Sequence, residues 1–205
     1  MNKAVVLVAV MAGSLSAANP CWSAEKAPST GSPSALANRE HETLMRQAMQ
    51  QALWPADIVR LSRDYLQDYP AGEWADAARA LNARALGPMR MLNRQDVWLY
   101  RGAFQVPSAE SPAIDDIRQA ALGDRNAALR MAHRHRRVDG GGAGIDLGRY
   151  VGWLQYAAEL GHEAASYELA LHFRRQDQPA LASRYEARAL ALGFSPPRAL
   201  EHTRK

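Results

Sequence analysis

Gly123, Gly161 and Gly193 recur at spacings of 38 and 32 residues, and each closes a run that reads as a helix. Glycine just past a helix end takes the left-handed backbone that stops it. Sliding the sequence by 38 residues lays 131–139 (MAHRHRRVD) on 169–177 (LALHFRRQD). Ala132 then meets Ala170, Arg136-Arg137 meets Arg174-Arg175, and Asp139 meets Asp177. Gly123 with Ala127 matches Gly161 with Ala165. A loop insertion, Gly140–Gly144, accounts for the shorter second interval. Gly87, 36 residues before Gly123, marks a decayed earlier copy. A repeat of this length is one helical hairpin, which cannot bury its apolar face alone and must stack on the next.

Composition agrees with helices. Of the 205 residues 47% are hydrophobic but only 7% aromatic, and Ala and Leu, which lose little on entering a helix, carry much of the apolar content. Turn signals divide the chain. Helices are expected over 38–53, 56–68, 73–86 (ending at Gly87-Pro88) and, more weakly, 94–104. After the loop 105–113 come helices over 112–122 and 125–137, then one capped by Asp146 that runs to Leu160. Helix 162–175 follows, then one capped by Asp177, and a short last helix opened by Ser195-Pro196.

The N-terminus reads as a cleaved signal peptide over 1–18, with Lys3 before a short apolar stretch, Ala4 to Ala12, and small residues up to Ala18. Residues 19–37, rich in Pro, Ser, Gly and Ala, read as a disordered leader. Ala18 and Pro20 depart from the residues that a lipidated Cys21 would need before it. The expected location is therefore periplasmic or secreted, with no transmembrane segment in the mature chain. One cysteine allows no internal disulfide framework. The formal charge of +4 is mild, and in a secreted protein it favours acidic proteins, anionic polysaccharide or lipid headgroups over nucleic acid.

The string from Tyr150 to Ala165 (YVGWLQYAAELGHEAA) resembles a Sel1-like repeat. Trp153, Tyr156, Ala157, Ala158 and Gly161 stand where that family has its aromatic-x-x-Ala-Ala-x-x-Gly pattern, and Ala165 supplies the following alanine. The resemblance covers about 112–205. It departs from the family where Pro197 replaces an expected Ala and where a helix-ending Gly is missing near Asp177. The segment 57–87, with Tyr65, Tyr69-Pro70 and Trp74-Ala75, resembles a tetratricopeptide hairpin more loosely. The resemblance implies an all-α fold, an α-solenoid of hairpins. It divides the chain into an N-terminal helical segment, 38–110, and a repeat array, 111–205. It also implies an adaptor or scaffold for another protein in an envelope or secretion assembly. The repeat-structural residues are Gly123, Ala127, Trp153, Tyr156, Ala157, Ala158, Gly161, Ala165 and Gly193.

Catalytic chemistry has little to work with. His133 and His135 are two apart, so they point to different helix faces, and no HExxH, nucleophile elbow or phosphate loop occurs. No catalytic residue, metal ligand or cofactor is therefore assigned. Asp115-Asp116 sits in a first helical turn, where carboxylates suit the dipole. The candidate binding surface is basic. Arg130, Arg134 and Arg137 share one helix face, and the 38-residue shift adds His172 and Arg175 to form a ridge. The competing reading of that ridge is charge compensation at helix C-termini. Two functions from other classes stay open beside the scaffold: an envelope enzyme or accessory acting on cell-wall material, and a direct binder of anionic polysaccharide.

Overall fold

The computed structural model describes residues 33–105, 113–136 and 147–195. The described residues form eight α-helices and no strand. They are α1 (Pro33–Gln51), α2 (Pro55–Asp68), α3 (Ala75–Leu92), α4 (Ile114–Ala121), α5 (Arg125–Arg136), α6 (Leu147–Glu159), α7 (Glu163–Arg175) and α8 (Pro179–Ala191). Each packs on its neighbours in chain order, except that α3 and α4 hardly touch. The expected signal peptide, residues 19–32, the loop Gly140–Gly144, the expected Asp146 cap and the helix expected after Ser195 lie outside the described residues. No described helix is long and apolar enough to cross a membrane.

The helix ends follow one physical rule. At Gly123, Gly161 and Gly193 φ is +88°, +89° and +90°. In each case the glycine N–H bonds back three residues, and the next N–H bonds back five: Asp124 to Gln119 (3.0 Å), His162 to Ala157 (2.9 Å), Phe194 to Ala189 (3.0 Å). That is the Schellman closure. A fourth copy of it ends α7, where Asp177 takes φ +55° and Gln178 N–H bonds to the Phe173 carbonyl (2.9 Å). The missing glycine near Asp177 is thus replaced by the aspartate itself. Asp177 is not the cap of α8. Gln178 is, with Pro179 opening the helix.

Three expected boundaries move. Helix α1 begins at Pro33, inside the stretch read as leader. Helix α3 runs through Gly87-Pro88 to Leu92. Pro88 is buried within it, and a Cβ added at Gly123 would lie 3.5 Å from Pro88 Cγ. The proline ring therefore packs against the α4–α5 turn. The third change is at 94–104, where only Arg101–Phe104 forms a single 3-10 turn. The preceding backbone is captured by a distant side chain: Gln155 Oε1 accepts from Trp98 N–H (2.7 Å), and Gln155 Nε2 donates to the Asp96 carbonyl (2.6 Å). Those two bonds satisfy groups that a helix would have paired internally.

Two cores result. The larger runs through α2 to α8 and centres on fully buried Trp153, Tyr156, Leu154 and Phe104. Phe104 meets Trp54 edge-on at 5.1 Å and Trp153 at 4.9 Å, so the 3-10 turn delivers an aromatic ring between the two halves. Ala127, Ala157, Ala158 and Ala165 are all fully buried, where small side chains let helices approach. Burying a large apolar side chain stabilises by about 1.5–3 kcal/mol, so this centre dominates the fold. The smaller core gathers Met49, Tyr65, Ala75 and Ala78 in the N-terminal hairpin. There the Tyr65 hydroxyl donates to Glu42 Oε1 (2.6 Å) and accepts from Trp74 N–H (3.2 Å).

Candidate functional site

Four of the five residues of the expected basic ridge are described. Asp116, in the first turn of α4, accepts from Arg130 Nε on Oδ1 (2.8 Å) and from Arg134 Nη2 on Oδ2 (3.0 Å). Both arginines thus have an internal counter-charge across the α4–α5 hairpin. Arg175 is exposed, and its Nε donates to the Leu171 carbonyl of its own helix (3.3 Å). His172 is half-buried, and that burial, with Arg175 beside it, holds its pKa below the usual value. Arg137 lies outside the described residues.

Glu168, on α7, is a second polar centre, met by side chains from α5 and α6. His133 Nε2 lies 3.0 Å from its Oε1, and the Tyr150 hydroxyl donates to Oε2 at 3.2 Å. Burial, with Glu168 adding to it, pushes the Tyr150 phenol up. Of the two histidine positions singled out in sequence, His133 thus forms a histidine–carboxylate pair.

The three left-handed glycines go with a third arrangement, which sequence reading missed. Five residues before each terminating glycine stands a long donor side chain: Arg118, Tyr156 and Arg188. The Tyr156 hydroxyl donates to the Ala120 carbonyl (2.9 Å), three residues before Gly123. Arg188 Nε donates to the Ala158 carbonyl (3.0 Å), three residues before Gly161, and its Nη2 to the Glu159 carbonyl (3.2 Å). Each hairpin therefore reaches back to the same carbonyl of the one before. Tyr156 is buried, which pushes its phenol well up and keeps it a neutral donor. Arg188 also pairs with Glu159 (3.5 Å), which Arg94 contacts from the other side at 3.1 Å.

At the first seam the series breaks. Arg118 Nε is buried with no hydrogen-bond partner among the described residues. The equivalent acceptor would be the Arg84 carbonyl, three residues before Gly87. Helix α3 does not end there, because Gly87 is not left-handed and the helix continues to Leu92. Pro88, which has no N–H, follows instead of a Schellman closure.

One surface stands out beside the Gln155 clamp. Trp98 and Tyr100 are 47% and 58% exposed, and with Leu147 and Val151 they line a hollow of about 440 Å³. The Gln155 bonds hold the backbone at Asp96 and Trp98, two residues before Tyr100. Sequence reading took this stretch for a weak helix and gave it no role. The available signal was the pair of aromatics two residues apart. No family model, curated protein or solved structure matches the chain.

Proposed function

We propose that the chain is a periplasmic or secreted α-solenoid of Sel1-like hairpins that binds another protein as a scaffold and performs no catalysis. The observation that carries this reading is the display of Trp98 and Tyr100, two large exposed aromatics, the first on a backbone held in place by Gln155. Rigid aromatic anchors beside an apolar hollow are what concentrated protein interfaces use, because they bury much area and lose little entropy. The recurring donor-to-carbonyl bonds between hairpins support the solenoid part of the reading, since they give successive hairpins one stacking register. The secretory part rests on the leader sequence alone.

The ridge of Arg137 and Arg175 is the second contact surface of the same scaffold. Its members Arg130 and Arg134 already have Asp116, which weakens their claim relative to the aromatics. Tagged protein secreted to the periplasm tests both surfaces by capture of one defined partner. Trp98→Ala with Tyr100→Ala is expected to abolish capture and leave helicity intact. Arg137→Glu with Arg175→Glu is expected to weaken it. Unchanged capture by both folded variants defeats the scaffold surface as drawn.

An envelope enzyme is the second reading, and the His133–Glu168–Tyr150 cluster is the observation in its favour. Turnover of cell-wall fragments that His133→Ala removes would establish it over the scaffold.

A further inference from the structure

We propose that the groove between α3 and α4 is a binding site for a small organic anion, a single carboxylate carried on a hydrocarbon body. The groove encloses about 620 Å³. Met49, Ile58, Trp74, Leu81 and Leu122 line it, so most of its surface is apolar. Ala77, Ala80, Leu81 and Arg84 follow the i, i+3, i+4, i+7 rule and share one face of α3, and Arg118 and Leu122 do the same on α4. The two alanines leave the space that longer side chains would fill.

The charge in this groove is one-sided. Among the described residues Arg84 and Arg118 are the only charged ones that line it, and none of the lining residues is acidic. Neither arginine pairs with a carboxylate among the described residues. Elsewhere in the molecule Arg94, Arg130, Arg134, Arg174 and Arg188 each have one. Arg118 is half-buried and its Nε has no acceptor among the described residues, in the place five residues before the glycine where Tyr156 and Arg188 both find acceptors. A buried guanidinium N–H without an acceptor is an unusual arrangement, because buried polar atoms are nearly always hydrogen-bonded.

The ligand follows from those facts. An apolar hollow of roughly 300–1,000 Å³ with a few placed polar groups is the usual form of a small-molecule site. A carboxylate matches the fork of a guanidinium, and its hydrocarbon part matches the leucine, isoleucine and tryptophan surface. A polyanion does not fit, because its second charge would face the apolar lining. This site is separate from the aromatic surface assigned to the partner protein, and it stands whether or not that assignment does.

Calorimetric titration of the full chain with decanoate, below its micelle concentration, tests the proposal. Decanol and decylammonium serve as controls of the same length. Decanoate is expected to bind one to one, about tenfold or more tighter than decanol, with no binding of decylammonium. Arg84→Met with Arg118→Met is expected to erase the preference for decanoate over decanol. Ala80→Phe is expected to block both, with circular dichroism checking that each variant is folded. The wild-type comparison of decanoate with decanol decides the matter even where a variant unfolds. Absence of decanoate binding, equal binding of decanol, or an unchanged preference in the folded double variant overturns the site. So does an apolar peptide with a free C-terminal carboxylate that displaces decanoate and binds more tightly, since the groove would then be a polypeptide dock.

Discussion

The seam between α3 and α4 and the seams between later hairpins each have a long donor five residues before a helix-ending glycine, yet only the later ones close. Tyr156 and Arg188 each reach a carbonyl that a left-handed glycine has exposed at a helix end. Arg118 has the same place in its repeat and finds no such carbonyl, because α3 runs on past Gly87. A stacking bond in this fold therefore needs two partners: a donor five residues before a helix stop in one hairpin, and a true helix stop in the hairpin before. Where the stop is lost, the hairpins separate and a groove opens.

Substitution of the three equivalent donors is the direct way to break this comparison. Arg188→Met should cost most, about 1.5–3 kcal/mol in chemical unfolding, because a charged donor leaves two carbonyls. Tyr156→Phe should cost about 0.5–1.5 kcal/mol, since the Ala120 carbonyl still keeps its bond from Gly123 N–H (2.9 Å). Arg118→Met should change stability by less than about 0.5 kcal/mol, having no bond to lose. A loss at Arg118 as large as that at Tyr156 would mean that the first seam is closed in solution.

The helix stops can be sharpened in the same way. Asp177→Gly should raise stability by a few tenths to about 1 kcal/mol, because it relieves a non-glycine left-handed residue. Thermal unfolding checks this, and destabilisation would show that the aspartate side chain has a role of its own.

The smallest effect is a pH slope. His162 caps α7, its Nδ1 accepting from Ala165 N–H at 3.5 Å, which requires that nitrogen to be unprotonated. Burial lowers its pKa below the ordinary 6.5, against the opposing pull of Glu163. The unfolded chain therefore takes up the proton more readily. The contribution of His162 is complete above pH about 6.5 and is lost as pH falls towards the depressed value. His172, also lowered by burial, acts in the same direction. Melting temperatures compared between neutral and mildly acidic buffer should fall with acid in the wild type. His162→Asn keeps a capping acceptor and should flatten that slope.

The helices and their stops were legible because glycine announces a left-handed end in the sequence itself. Asp177 was not, since nothing local distinguishes an aspartate that ends a helix from one that begins the next. The 94–104 segment was misread for a different reason. Its backbone bonds go to Gln155, some 57 to 59 residues away, and no window of local pattern contains both. The same holds for the ridge: helical spacing put Arg130 and Arg134 on one face, but Asp116 lies 14 and 18 residues before them. The donor series at 118, 156 and 188 was present in the sequence, five residues before each glycine. It escaped notice because a tyrosine and two arginines share no residue class, only the ability to donate across a seam.

The Gln155 clamp also has a mechanical meaning. By tying Asp96 and Trp98 to α6, it makes the intervening stretch of chain a closed loop. Tension applied at the two ends passes from one side of the clamp to the other without entering that loop. Helices α4 and α5 are therefore shielded from a pulling force until the clamp opens. A plain stack of hairpins would peel from either end, one unit at a time. In this molecule the middle is the part that a pull reaches last.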